Sequence, residues 1–151
     1  MVHSVLLVLH IAAGTGGLLA APVAMAAGKH PGLHTTAGWA YQVCCAVLCS
    51  SALGLVALNL SLWGFAVIAV ATEASAAAGV VLRRRRRPGW LPLHVQLVLG
   101  SYVSFVTALV VVTAGGLWWV LPVALGSAGV SVTTGRVAAR TRPARPARLA
   151  A

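Results

Sequence analysis

Acidic residues are almost absent from this chain: one of its 151 residues is Asp or Glu, against eleven Lys and Arg. Charged residues of both signs make up 8% of the sequence, whereas a soluble globular domain uses about 25% to cover its surface. The shortage of charge excludes a soluble single domain. A hydrophobic content of 60% and a mean hydropathy of +0.94 point the same way.

Residues for hydrolytic catalysis and for disulfide frameworks are also scarce. The three cysteines, Cys44, Cys45 and Cys49, fall in one apolar run, and an odd number in that setting does not build a disulfide framework. Cys45 and Cys49 stand one helical turn apart, which favours small packing residues over metal or redox use. No Ser-His-acid set and no HExxH zinc motif occurs. We therefore assign no catalytic residues and no metal site, and the sequence favours a protein that is not an enzyme while leaving that question open.

Basic residues, in contrast, are plentiful and occur in three places: Lys29, Arg83 to Arg87, and Arg136 to Arg148. All three flank apolar runs, where Lys and Arg attract anionic lipid head groups and retain loops in the cytoplasm. A nucleic-acid module would instead mix basic and aromatic residues on a folded polar surface. The expected partner is the lipid bilayer, and nucleic acid is not expected.

The apolar runs between these basic places are long enough to cross a bilayer, which takes roughly 20 residues. The fold class is predicted to be all-α: an integral membrane helical bundle of about five transmembrane helices. The predicted spans cover residues 4–26, 35–60, 62–82, 91–114 and 117–132. Residues 1–135 would form the transmembrane bundle, and residues 136–151 a basic, disordered cytoplasmic tail rich in Arg, Ala and Pro.

The distribution of Lys and Arg also predicts an orientation. All of them fall on one side of the five-span arrangement, and basic residues favour the cytoplasmic side. The N-terminus is therefore expected outside and the C-terminus inside. The composition, biased to Ala, Arg, Gly and Val, suggests a bacterium, so the expected location is the bacterial cytoplasmic (inner) membrane, with a multi-pass topology.

Glu73 is the sharpest functional candidate, because a carboxylate in hydrocarbon is costly unless it finds a partner or a proton. Its expected partners at a similar depth are Gln42, Gln96, Tyr102, Ser75 and His94. One interpretation is a carboxyl group that handles protons or binds a ligand. The alternative is a protonated Glu that hydrogen-bonds to a neighbouring helix or to another subunit.

His34 and His94 form the second candidate site. They stand at the starts of spans two and four, and two imidazoles on separate helices at one depth can ligate a haem iron axially. Gly38, one turn after His34, would leave room for a flat macrocycle. The alternative is a pair of interfacial histidines that hydrogen-bond to helix ends. His10 lies in the outer part of span one, far from this pair.

Several short motifs follow one another in a definite order along the chain. They are LHIAAG at 9–14, APVA at 21–24, LHTTAGWAY at 33–41, His94 followed by GSYVSFVTA at 100–108, and WVLP at 119–122. Over about residues 5–135 the chain resembles a bacterial family of predicted membrane proteins described only as a domain of unknown function, with the pattern LHIAAG, LHxxxGxxY, HxxxxxGSYxxxxTA and WxxP.

This resemblance implies a small helical membrane bundle without a settled activity. It marks six motif positions: His10, His34, His94, Ser101, Tyr102 and Thr107. The chain departs from the pattern at Thr35 and Thr36, where basic residues are common in the family. Glu73 lies outside the pattern, which weakens a family-wide role for it.

Three functions remain open on these observations. The first is an accessory membrane protein that packs against partner subunits or other copies of itself, favoured by the glycine-rich first span. The second is an electron-transfer protein that binds b-type haem through His34 and His94. The third is a small proton-coupled transporter that uses Glu73, although no convincing internal repeat accompanies it.

Overall fold

The structure of the chain is a computed structural model, which describes residues 1–28 and 32–141. The described ranges are helical, without strands, so the predicted all-α class is confirmed. The helices are α1 (Val2–Ala26), α2 (Leu33–Leu58), α3 (Trp63–Arg85), α4 (Trp90–Ala114) and α5 (Val120–Thr141). A 3-10 turn, Leu60–Leu62, joins α2 to α3.

All five helices are long and apolar enough to cross a membrane. The candidate spans contain 22 to 26 residues, with mean hydropathies between 1.2 and 2.1 in their most apolar windows. At 1.5 Å per residue, such helices are about 33–39 Å long. The hydrocarbon core of a bilayer is about 30 Å thick, so each helix can span it with some tilt. The prediction of five spans is confirmed.

The fifth helix differs most from its predicted span. Gly115 and Gly116, with φ of 63° and 55°, turn the chain after α4, and α5 then begins at Val120 and continues to residue 141. Residues 136–141, predicted to be disordered, are therefore helical. Ala and Arg are strong helix formers, and Arg140 in the last turn interacts favourably with the helix dipole. The rest of the predicted tail, 142–151, and the segment 29–31 lie outside the described ranges.

The helices pack mainly against their neighbours in sequence: α1 on α2, α2 on α3, α3 on α4, and α4 on α5. Contacts between α1 and α4 close the first four helices into a bundle, whereas α5 contacts only α4 among the described helices. The end of α1, the starts of α2 and α4, and the end of α3 lie together. This end carries Arg83, Arg84 and Arg85, and we call it the arginine end.

Small side chains form the core between α2 and α3. Cys45 and Ala76 are fully buried, and Cys49 and Ala69 complete the cluster. Lipid tails are as apolar as the side chains, so helices in a membrane associate through close van der Waals contact, which small residues permit. The same small residues bring polar groups on α2 and α3 close together.

At Gly126, α5 packs so closely against α4 that a larger side chain has no room. A Cβ atom built at this position would lie 2.5 Å and 2.7 Å from the two methyl carbons of Val103, whereas nothing lies within 4 Å of the corresponding position at Gly129. Gly126→Ala is expected to destabilise the protein by about 1–3 kcal/mol through overpacking, measured by thermal or detergent-induced unfolding. Gly129→Ala, on the same helix, is the matched control and should be neutral or stabilising. Equal stability of the two variants would contradict this packing.

Candidate functional site

Two histidines at the arginine end make the same type of hydrogen bond. Nδ1 of His34, at the start of α2, lies 2.7 Å from the carbonyl oxygen of Ala24 on α1. Nδ1 of His94, near the start of α4, lies 2.7 Å from the carbonyl oxygen of Gly79 on α3. In each helix pair, the histidine of the second helix is thus oriented by the backbone of the first.

These bonds determine which nitrogen of each ring is available to a ligand. A carbonyl oxygen only accepts hydrogen bonds, so Nδ1 of His34 and of His94 must carry the hydrogen. In the neutral ring, Nε2 then keeps its lone pair. A metal-bound histidine almost always donates its other N–H to a carbonyl or carboxylate group, which holds the ring in position. Both histidines therefore have the tautomer and the backbone support of metal ligands.

The structure brings the two histidines into one neighbourhood, together with an arginine. His94 lies within electrostatic range of His34 and of Arg83. The Nη2 atom of Arg83 donates to Oγ1 of Thr35, which follows His34, over 3.4 Å. The ring of Trp90 lies 5.9 Å from the imidazole of His94, centroid to centroid. The site thus combines two imidazoles with a guanidinium group and an aromatic ring.

A buried hydrogen bond lies deeper in the bundle, on the same two helices. Tyr41 and Ser101 are each seven residues after His34 and His94, about two turns further in. The Tyr41 hydroxyl lies 2.9 Å from Oγ of Ser101, and Ser101 in turn donates to the carbonyl of Val98. Tyr41 therefore donates to Ser101. This bond connects α2 to α4 across the bundle and helps to set the spacing of the helices that carry the histidines.

His10 lies toward the opposite end of the bundle. Its Nδ1 is 3.2 Å from Oγ of Ser51 on α2, and Ser51 donates to the carbonyl of Leu48. Ser51 is seventeen residues beyond His34 along α2, about 25 Å at 1.5 Å per residue. His10 is therefore too far away to share a ligand with His34 and His94.

Glu73 faces α2 and has one amide partner. Nε2 of Gln42 donates to its Oε1 over 3.2 Å. Its other oxygen, Oε2, is buried and has no hydrogen-bond partner. The sulfur atoms of Cys45 and Cys49 and a carboxylate oxygen of Glu73 all lie within 4.8 Å of one another. Glu73 therefore lies beside two thiols of a kind that can share a metal ion with a carboxylate.

The other expected partners of Glu73 are placed elsewhere. Gln96 is exposed on the outer surface of α4. The hydroxyl of Tyr102 is 3.5 Å from the carbonyl of Leu18 on α1, so it faces away from α3. His94 hydrogen-bonds to the carbonyl of Gly79 instead. Thr107, a motif position and not one of the expected partners, donates through Oγ1 to the carbonyl of Val103 within its own helix. Gln42 is the expected partner that hydrogen-bonds to Glu73 within the described part of the chain.

The group of Cys45, Cys49 and Glu73 was missed by the sequence reasoning, which took the thiols as packing residues. Counting residues from the ends of the two helices could have revealed it. Cys45 is twelve residues after the start of α2, and Glu73 is twelve residues before the end of α3. Because α2 and α3 are antiparallel neighbours, residues that are equally many positions from the arginine end lie at the same depth.

Comparisons with known protein families, with curated proteins and with solved structures find no match for this chain. The resemblance drawn from short motifs therefore stays a prediction. The fold brings together two polar groups, the histidine pair at the arginine end and the thiol–carboxylate group in the core.

Proposed function

We propose that this protein is a small membrane redox protein that binds one b-type haem between His34 and His94. The observation that carries the proposal is the matched pair of hydrogen bonds from Nδ1 to a backbone carbonyl, which leaves Nε2 of both rings with a lone pair. Interfacial histidines that merely satisfy helix ends would also make one such bond each. They do not need a second histidine within electrostatic range.

The surroundings of the pair suit a haem. Haem carries two carboxylate groups, and Arg83, within electrostatic range of His94, is the type of residue that binds carboxylates through several N–H groups. Nothing lies within 4 Å of the Cβ position of Gly38, one turn after His34, so a flat ring can approach the backbone there. Haem would supply a one-electron couple. The chain would hold the iron, orient both imidazoles and balance the carboxylate charge.

A single site near one end limits what such a protein does. Conduction of electrons across a bilayer usually takes two haems in line, and His10 lies toward the opposite end with Ser51 as its partner. One haem at the arginine end would instead exchange electrons with a partner on that side of the membrane. We place that side in the cytoplasm of a bacterium, with the protein in the inner membrane, because Arg83 to Arg87 favour the cytoplasmic face.

The direct experiment is an absorption spectrum of protein purified in mild detergent from cells supplied with a haem precursor. The proposal predicts a Soret band and, after reduction, the sharp visible bands of a b-type cytochrome with two axial histidines. A colourless protein that also fails to take up added haemin would refute it.

The proposed orientation makes a separate prediction. In a variant whose native cysteines are replaced by alanine, Val2→Cys should react with a membrane-impermeant maleimide in cells with an intact inner membrane. Pro88→Cys, which follows the arginine block, should react only after the inner membrane is opened. The reverse labelling pattern would contradict an outside N-terminus, without affecting the haem proposal.

An accessory role is the second candidate, and α5 favours it. This helix contacts α4 alone among the described helices and contributes no buried residue. Its remaining surface is available to a partner subunit or to another copy of the chain. The accessory role would stand if haem binding failed. A redox protein that delivers electrons to a membrane partner would combine the two functions.

A further inference from the structure

We propose that Cys45, Cys49 and Glu73 bind a zinc ion in the core between α2 and α3. This site is separate from the histidine pair and does not depend on the proposed function. Its ligands come from two helices: two thiols one turn apart on α2, and a carboxyl group on α3 at the same depth.

The distances suit a single ion. One potential ligand atom from each of the three residues lies within 4.8 Å of the other two. Zinc bonds of about 2.3 Å to sulfur and 2.0–2.2 Å to oxygen, in tetrahedral geometry, place ligand atoms roughly 3.5–3.8 Å apart. Small rotations of the three side chains can close this difference.

The carboxyl group of Glu73 is the second observation that points to a ligand. Its Oε2 is buried without a hydrogen-bond partner, a state that is costly inside a protein. Its Oε1 accepts a hydrogen bond from Nε2 of Gln42 over 3.2 Å. This bond holds the carboxyl group in place and leaves Oε2 available to a metal ion. Metal-bound carboxylates are commonly held in this way by an outer hydrogen bond. Gln42 is thus a positioning residue.

The chemistry of the three side chains selects the ion. Thiolates favour soft or borderline ions such as Cu(I) and Zn²⁺, and a carboxylate oxygen in the same set favours Zn²⁺. Two thiolates neutralise the charge of Zn²⁺, and the carboxylate leaves the complex with one negative charge, which the N–H of Gln42 partly offsets. Binding is written as one Zn²⁺ plus two thiols and the Glu73 carboxylate giving zinc held by two thiolates and one carboxylate oxygen, with two protons released. The fourth tetrahedral position is left for a further ligand.

The test uses purified full-length protein in detergent, stripped of metal with a chelator and titrated with Zn²⁺. One zinc per chain is expected, measured by elemental analysis after dialysis. Co²⁺ in place of Zn²⁺ should produce ultraviolet charge-transfer bands that report thiolate ligands. Cys45→Ala and Cys49→Ala should lose these bands and the bound zinc. Gln42→Ala should weaken zinc binding by about 10–100-fold.

Cys44 provides a matched control. Its side chain lies toward α1, near Gly16 and Gly17, and away from Glu73. Cys44→Ala should bind zinc like the unaltered protein, and all variants should keep the helical circular dichroism of the bundle. The proposal is overturned if the unaltered protein binds no zinc, if Cu(I) binds but Zn²⁺ does not, or if Cys49→Ala retains zinc and the cobalt bands. His34→Ala should keep the zinc, which separates this test from that of haem.

Discussion

Replacing His94 by alanine is expected to abolish the Soret absorption of the haem-loaded protein, and His34→Ala is expected to have the same effect. In the proposed site each ring would supply one ligand to the iron, and in each ring the backbone carbonyl fixes Nδ1 as the donor. Loss of either imidazole would remove one of the two proposed ligands. Haem that is held through one histidine should dissociate during purification. The measurement is the ratio of Soret to protein absorbance in matched preparations.

His10→Ala is the control for this prediction. His10 also donates through its ring to another helix, but its partner is Ser51, about 25 Å along α2 from His34. It should keep the full Soret absorbance. If His10→Ala lost haem as completely as His94→Ala, haem loss would reflect a general weakening of the bundle. If His34→Ala and His94→Ala both kept haem, the ligands would lie elsewhere.

The second large effect is expected at Tyr41. This side chain is 3% exposed, donates to Ser101 and packs its ring near Tyr102 and Phe105, at centroid distances of 6.4 Å and 6.2 Å. Tyr41→Ala removes the ring from between α2 and α4 and leaves a cavity. Large-to-small aromatic substitutions in a core cost about 3–5 kcal/mol, so unfolding in detergent should occur at a markedly lower temperature.

Tyr41→Phe separates the ring from the hydroxyl. It keeps the ring contacts and removes one buried hydrogen bond, while Ser101 still donates to Val98. A loss of about 0.5–1.5 kcal/mol is expected. Since Tyr41 lies two turns below His34, Tyr41→Ala should also weaken haem binding, whereas Tyr41→Phe should not. Equal stabilities of the two variants would mean that the ring does not support the contact between α2 and α4.

Much of the architecture was predictable, because hydropathy and basic residues act on whole segments. Long apolar runs require helices in lipid, since every backbone N–H and C=O must be paired within the segment. The end of α5 was not predictable in this way. Arg136 and Arg140 lower the hydropathy of the segment, but they favour the helical backbone, so the helix continues where the apolar run stops.

The candidate site was predictable in part for a similar reason. The starts of α2 and α4 place His34 and His94 at one end, and this follows from counting residues from the turns. The direction of each side chain around its helix does not follow from the count. The sequence placed Gln96 and Tyr102 beside Glu73, but the helix rotations direct Gln96 outward and Tyr102 toward α1. Those rotations depend on the packing of all the helices at once.

The central claim is that His34 and His94 bind one iron together, and electron paramagnetic resonance of the ferric protein tests it most directly. Purified protein titrated with one equivalent of haemin should give the low-spin signal of iron with two axial imidazoles. Its intensity should correspond to one haem per chain, and His94→Ala should lose the signal. A high-spin signal in the unaltered protein, or a low-spin signal that persists in His94→Ala, would contradict the claim.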